Sequence, residues 1–184
     1  MKHHIFPAIR LTLICIVVFM GLYPLLILAI AKLAPAKGEG ETVTLNNKTV
    51  GYKLEGQSFT KDNYFWGRPS AVGYNAAGSG GSNKGPSNPD YLKDVQNKID
   101  TFLVHNPSVK KEQIPSELVT ASGSGLDPDI SLQAALIQTE RIAKTRNIKK
   151  EKVEELIQTQ KKQSINGIAM VNVLQLNMAL DNLK

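Results

Sequence analysis

Between Arg10 and Lys32 lie 21 consecutive residues, Leu11 to Ala31, without a single charged side chain. At a helical rise of about 1.5 Å per residue the run covers roughly 30 Å, the thickness of a bilayer hydrocarbon core. Gly21 and Pro24 fall inside it. Both are costly in a soluble helix but tolerated in a membrane, where the backbone has few alternatives to helix. A cleaved secretory signal is the rival, because Ala29-Ile30-Ala31 has a small-x-small form. Signal h-regions run only about 7–15 residues, so the stretch reads as an uncleaved transmembrane helix. Lacking a polar face, such a helix packs on partners through shape and small residues, with Gly21, Pro24 and Ala29 as contact candidates. Pro24 is expected to set a kink.

This anchor divides the chain into a short cytoplasmic N-terminus (1–10), the helix (11–31), a linker rich in Ala, Pro, Gly, Lys and Glu (32–41), and one domain (42–184). Lys and Arg are nearly balanced across the two flanks and tilt slightly toward an N-terminus inside. Cys15 is the only cysteine and lies in the anchor. A thiol-free domain suits an oxidising exterior, so residues 42–184 are expected outside the cell.

The domain reads as α+β, with a small sheet and about four helices. Thr42–Leu45, an Asn46-Asn47 turn and Thr49–Leu54 make a hairpin. Asn88-Pro89-Asp90 supplies a cap, a first-turn proline and an acid for a helix ending near Asn106-Pro107, with Leu92, Val95, Ile99, Phe102 and Leu103 inward. The pattern then repeats: Leu118–Ala121 as a strand, Ser122–Leu126 as a Gly/Ser loop, and Asp127-Pro128-Asp129 opening a helix with Leu132, Leu136 and Ala143 inward. Two more helices are expected at about 150–162 and 172–183.

Several chemistries are excluded or disfavoured. Thr49-Val50-Gly51-Tyr52 imitates a potassium filter, but Lys53 follows and no second membrane segment exists to frame a pore. The Gly/Ser/Asn run Tyr74–Asp90 lacks phosphate-loop spacing, since Lys84 sits between Asn83 and Gly85. Asp90 and Asp129 would place carboxylates where phosphates seek helix ends. The three His form no cluster with the lone Cys, so no zinc-type site is visible. The net charge of +6 concentrates at 141–162, where eight Lys or Arg face three Glu without aromatics. That favours a solvated helical face over a nucleic-acid surface. Tyr52, Phe59, Tyr64, Phe65 and Trp66 crowd fifteen residues. They form either a contact surface or a small core under a loop.

Set in order, the motifs resemble a family. They are Tyr23-Pro24-Leu25 in the anchor, G-Q-S-F-T from Gly56, Y-F-W-G-R-P-S-A from Tyr64, S-G-G-S-N from Ser79, S-N-P from Ser87, L-V-T-A-S-G-S-G-L-D from Leu118, R-I-A-K-T-R-N from Arg141 and V-N-V-L-Q-L-N-M-A-L-D from Val171. The chain resembles the C subunit of the bacterial high-affinity, Kdp-type potassium-transporting P-type ATPase. Gly167-Ile168-Ala169-Met170 departs from the Gly-Glu-Pro-Arg common in that family. The resemblance implies a single-pass, non-catalytic subunit of the cell membrane. Its implied partners are a channel-like potassium-translocating subunit and an ATP-hydrolysing P-type subunit, whose ATP affinity it raises as a catalytic chaperone. ATP is then implied only through that subunit; the chain itself is expected to bind no cofactor. Tyr64, Phe65, Trp66, Arg68, Ser79, Ser82 and Asn83 join the anchor residues as partner-contact candidates. The alternative is an anchored extracellular binding domain unrelated to transport.

Overall fold

The computed structural model describes residues 2–34, 36–45, 47–163 and 167–183, with side chains from His4 onward. The chain forms two compact units, Met1–Glu41 and Thr42–Lys184.

In the first unit the helix starts well before the apolar run. α1 spans Lys2–Ile16 and α2 spans Tyr23–Ala31, joined without a break by a π-helical turn, Val17–Leu22. Arg10 is therefore inside the helix and does not mark its start. His4–Ala31 contains an 18-residue stretch of mean hydropathy 2.8 and is long and apolar enough, by length and composition, to cross a membrane. At the expected kink the structure shows a widened turn, in which Tyr23 N–H donates to Val18 O five residues back. Pro24 has no N–H, and its ring crowds the carbonyl four residues earlier. Widening the preceding turn to π geometry relieves that crowding.

The second unit opens with β1 (Thr42–Leu45) and β2 (Lys48–Tyr52), paired antiparallel with a register shift that leaves Val50 of β2 without a partner opposite the Val43–Thr44 step. Asn47 adopts φ +61°, the left-handed conformation a tight hairpin turn needs. Asn46 lies outside the described residues. α3 (Pro89–His105) begins as its sequence signals: Asn88 Oδ1 accepts from Tyr91 N–H at 3.0 Å and Pro89 takes the first turn. It buries Phe102, with Val95, Ile99 and Leu103 half-buried. Leu92, expected inward, is 53% exposed, because α3 leans on the core mainly through its C-terminal half.

Leu118–Ala121 is not a strand. Ser116–Leu118 is a 3₁₀ turn, and the Thr120 N–H and hydroxyl both donate to Ser116 O (2.9 and 2.8 Å), curling the chain. Leu118 and Val119 still reach the core, so an apolar run alone did not distinguish strand from turn. Asp127-Pro128-Asp129 does not open a helix either. Asp127 Oδ1 accepts from Asp129 N–H at 3.1 Å and turns the chain into β3 (Asp129–Ser131). Ser131 Oγ, accepting from Ala134 N–H, is the actual cap of α4 (Leu132–Leu136). α5 (Thr139–Arg146) follows and ends at Asn147 with φ +55°. Then come α6 (Lys150–Gln160), β4 (Lys162–Gln163), β5 (Ala169–Asn172) and α7 (Val173–Asp181).

The unit is α+β, but its larger sheet is late in the chain. β3, β5 and β4 form an antiparallel sheet in that order, with Ile130 opposite Val171. Ala169 and Met170, in the segment that departs from the family pattern, are part of β5. The core joins Ile130 and Val171 from this sheet to Ile142, Val153, Ile157, Leu176 and Leu180 from the helices.

Candidate functional site

Residues Asp62–Pro69 cross this core without regular secondary structure. Their backbone polar groups, buried away from water, must find partners elsewhere. They find side chains. Asn177 Oδ1 accepts from Phe65 N–H at 2.8 Å while its Nδ2 donates to Phe65 O at 3.0 Å. Gln138 does the same for Trp66, at 2.8 and 3.2 Å. Two amides thus replace a missing neighbouring strand, and both are buried.

Arg141 completes the grip. Its Nη1 donates to Asp62 O (2.5 Å) and Tyr64 O (3.0 Å), Nε to Asn106 Oδ1 (3.0 Å) and Nη2 to Gln138 Oε1 (2.7 Å). Its guanidinium lies 4.6 Å from the Trp66 ring centroid. Burial pushes Arg141 down to about 10, opposed by the Asp62 charge, so it stays cationic at neutral pH. Arg146 acts one turn on. It donates to Asn63 O and pairs with Asp181, both at 2.7 Å, and stacks over Tyr64. The Tyr64 hydroxyl donates to Asp181 at 3.0 Å. Burial first, then Asp181, raises the Tyr64 pKa. The basic cluster at 141–162 is therefore only partly a solvated face, since Arg141 is buried and Arg146 half-buried.

The aromatic cluster divides. Phe65 is fully buried, belongs to the core and has no surface to offer a partner. Phe59 and Trp66 are half-buried beside it and line a groove of about 390 Å³ with Tyr74, Asn97, Lys98 and His105. His105 Nδ1 sits 2.7 Å from Asp62 Oδ1, and its ring meets Trp66 edge-on. Tyr52 is exposed on the hairpin.

Arg68 pairs with Asp127 at 2.8 Å, and the Tyr74 hydroxyl donates to Arg68 O. Beyond it the two Gly/Ser loops pack on each other. Ser79 Oγ and Gly80 N–H both donate to Ser124 O (2.9 and 2.8 Å). Gly125 has φ +68°, and a Cβ there would sit 2.7 Å from Gly80 O, so only glycine fits. Ser82 is half-buried and Asn83 exposed, with Asn83 at φ +54°. Gly21, Pro24 and Ala29 lie in the first unit, and apart from its chain neighbours and its own helix backbone no described atom comes within 4 Å of a Cβ built on Gly21.

Gln138 went unnoticed in the sequence, and Arg141, Arg146 and Asn177, though inside motifs of the resemblance, were given no role there. Their signal was polar residues on inward faces: Asn177 lies between Val173 and Leu180 at helical spacing, and Arg141 precedes Ile142. What the arrangement does chemically is hold a strap. Among the described residues no group of His, Cys, Asp or Glu could hold a metal ion.

The family described as K+-transporting ATPase, c chain (KdpC), matches residues 5–182. A Flavobacterium psychrophilum protein named potassium-transporting ATPase KdpC subunit is 56% identical over 98% of this chain and 99% of its own. Proteins of the same name from Bacteroides fragilis and Bacillus cereus are 46% and 43% identical, covering 96% of this chain in each case and 96% and 94% of their own. The chain belongs to the KdpC family and is an accessory rather than a catalytic subunit of a potassium-transporting ATPase.

Proposed function

We propose that this chain is a single-pass subunit of a high-affinity potassium uptake complex, with residues 42–184 outside the cell. In this reading it assembles with a channel-like potassium-translocating subunit and an ATP-hydrolysing P-type subunit, and raises the ATP affinity of the latter without touching ATP. The carrying observation is the full-length family match together with the helix His4–Ala31. The use of cations supports indirect action: Arg68, Arg141 and Arg146 are each engaged with the chain's own acids and carbonyls. Asp90 still occupies the first turn of α3, although Asp129 lies in a strand rather than at a helix end. Affinity rises without contact when a subunit prefers one conformation of the enzyme, and linkage then tightens ATP by the same factor. Such coupling is typically about 1–3 kcal/mol, or roughly 5- to 150-fold.

The partner contacts proposed are Gly21, Pro24 and Ala29 on the anchor, and Tyr64, Trp66, Arg68, Ser79, Ser82 and Asn83 beyond it. Calorimetric titration tests the mechanism. The purified full chain in detergent is expected to show no ATP binding tighter than millimolar. The assembled complex should bind ATP more tightly with this subunit than without it. A saturable micromolar site on the chain alone would establish direct contact instead. Protease added to intact spheroplasts is expected to degrade residues 42–184; cleavage only after lysis would reverse the topology.

A further inference from the structure

The two strands of the hairpin β1–β2 differ: on β1 Val43 and Leu45 are half-buried and Thr42 and Thr44 exposed, the usual sense, whereas β2 exposes its apolar residues. Val50 and Tyr52 on β2 are 37% and 41% exposed with Gly51 between them half-buried, and in the turn that follows Leu54 is 68% exposed and Lys53 half-buried. A strand serving its own core would turn the apolar half of that alternation inward. Among the described residues from 42 to 54, none belongs to the core cluster or packs against it. The contacts of the hairpin region with the rest of the unit include Asn172 Nδ2 donating to Lys53 O, Gly56 N–H donating to Leu126 O, and the Gln57 side chain lying against Gly51. A two-stranded ribbon is marginal in water by itself, so covering this face would stabilise it.

The tether points to what covers it. Residues 32–41 separate the last helical residue, Ala31, from Thr42. Ten extended residues reach at most about 33–36 Å. These are shortened by turns, with Leu33, Ala34, Lys37 and Glu39 N–H groups each donating three residues back. The hairpin is thus the first element after a membrane span, on a short leash. Tyr52 has the amphipathic ring that favours the headgroup layer, and Lys48 is exposed at the turn. We infer that Val50, Tyr52 and Leu54 lie on the bilayer surface, with the lipid interface rather than a protein as their occupant. The inference rests on α1–α2 crossing a membrane and holds on whichever side residues 42–184 sit.

The test uses the full chain with Cys15→Ser and Leu54→Cys, the new thiol carrying an environment-sensitive fluorophore. It is reconstituted in phosphatidylcholine–phosphatidylglycerol vesicles with or without a nitroxide near the lipid headgroup. Flotation reports the anchor, Trp66 emission the fold, and the label the hairpin. The expected result is blue-shifted emission that is quenched in nitroxide vesicles, both effects being lost in Tyr52→Asp. Water-like, unquenched emission from chains that float overturns the inference. So does a blue shift that appears only when partner subunits are added, which would make the face a protein interface. Chains that fail to float remove the membrane span and the inference with it.

Discussion

Two extended segments of the second unit meet opposite fates. β1 and β2 fold back on each other, pair one edge of their backbones between themselves, and contribute none of their residues to the core cluster. Asp62–Pro69 has no strand beside it, yet places Phe65 at the centre of the core. The difference is where the polar groups go. A hairpin carries part of its hydrogen bonding with it, strand to strand, and leaves its outer edges to water. The strap can enter the interior only because Asn177, Gln138 and Arg141 meet its N–H and C=O groups. Buried apolar surface is available to a segment once its backbone is satisfied, and matched polar side chains can supply that as well as a sheet can.

Substitutions can break or sharpen this contrast. The largest effect is expected for Arg141→Leu. The Asp62, Tyr64 and Asn106 oxygens lose their donor at about 1–3 kcal/mol each, so at least about 3 kcal/mol of stability should go. Denaturant unfolding of the full chain in detergent, followed through Trp66, measures it; a wild-type midpoint would mean the strap needs no such grip. Asn177→Leu leaves the Phe65 N–H and C=O unpaired, at about 1–3 kcal/mol for each group. The fully buried site offers no water in exchange, so faster amide exchange at Phe65 should accompany the loss.

Asp129 is the counterexample that sharpens the rule. Burial raises its pKa, the Asp127 charge raises it further, and Lys162 and Asn172 only partly oppose them. A folded-state pKa above the unfolded value means the acid's contribution is most favourable when protonated and is lost as pH rises through that pKa. Asp129→Asn is therefore expected to raise the unfolding midpoint at neutral pH, and the gain should shrink as pH falls through the carboxylate range. A constant gain across that range would assign the effect to something other than charge. The smallest effect belongs to the hairpin. Val50→Ser should change stability in detergent by no more than about 0.5 kcal/mol, as exposed substitutions do. A loss comparable to that of Arg141→Leu would erase the distinction between the two segments.

The sequence alone carried whatever local chemistry decides. The long apolar helix at the start of the chain follows from an uncharged run long enough for a bilayer. α3 follows from its Asn88 cap and Pro89, and α6 and α7 from apolar residues at helical spacing, since caps and periodicity act within a few residues. The tertiary structure decided what depends on distant partners. β3 and β4 are three and two residues long, too short to show a period, and become strands only by pairing with β5. The strap was visible as a cluster of aromatics, but whether it faced solvent or core was not. Phe65 meets Asn177 across 112 residues of sequence and Trp66 meets Gln138 across 72. No local pattern records such pairs, because the free energy that fixes them exists only once the intervening chain has brought a buried amide to a buried backbone.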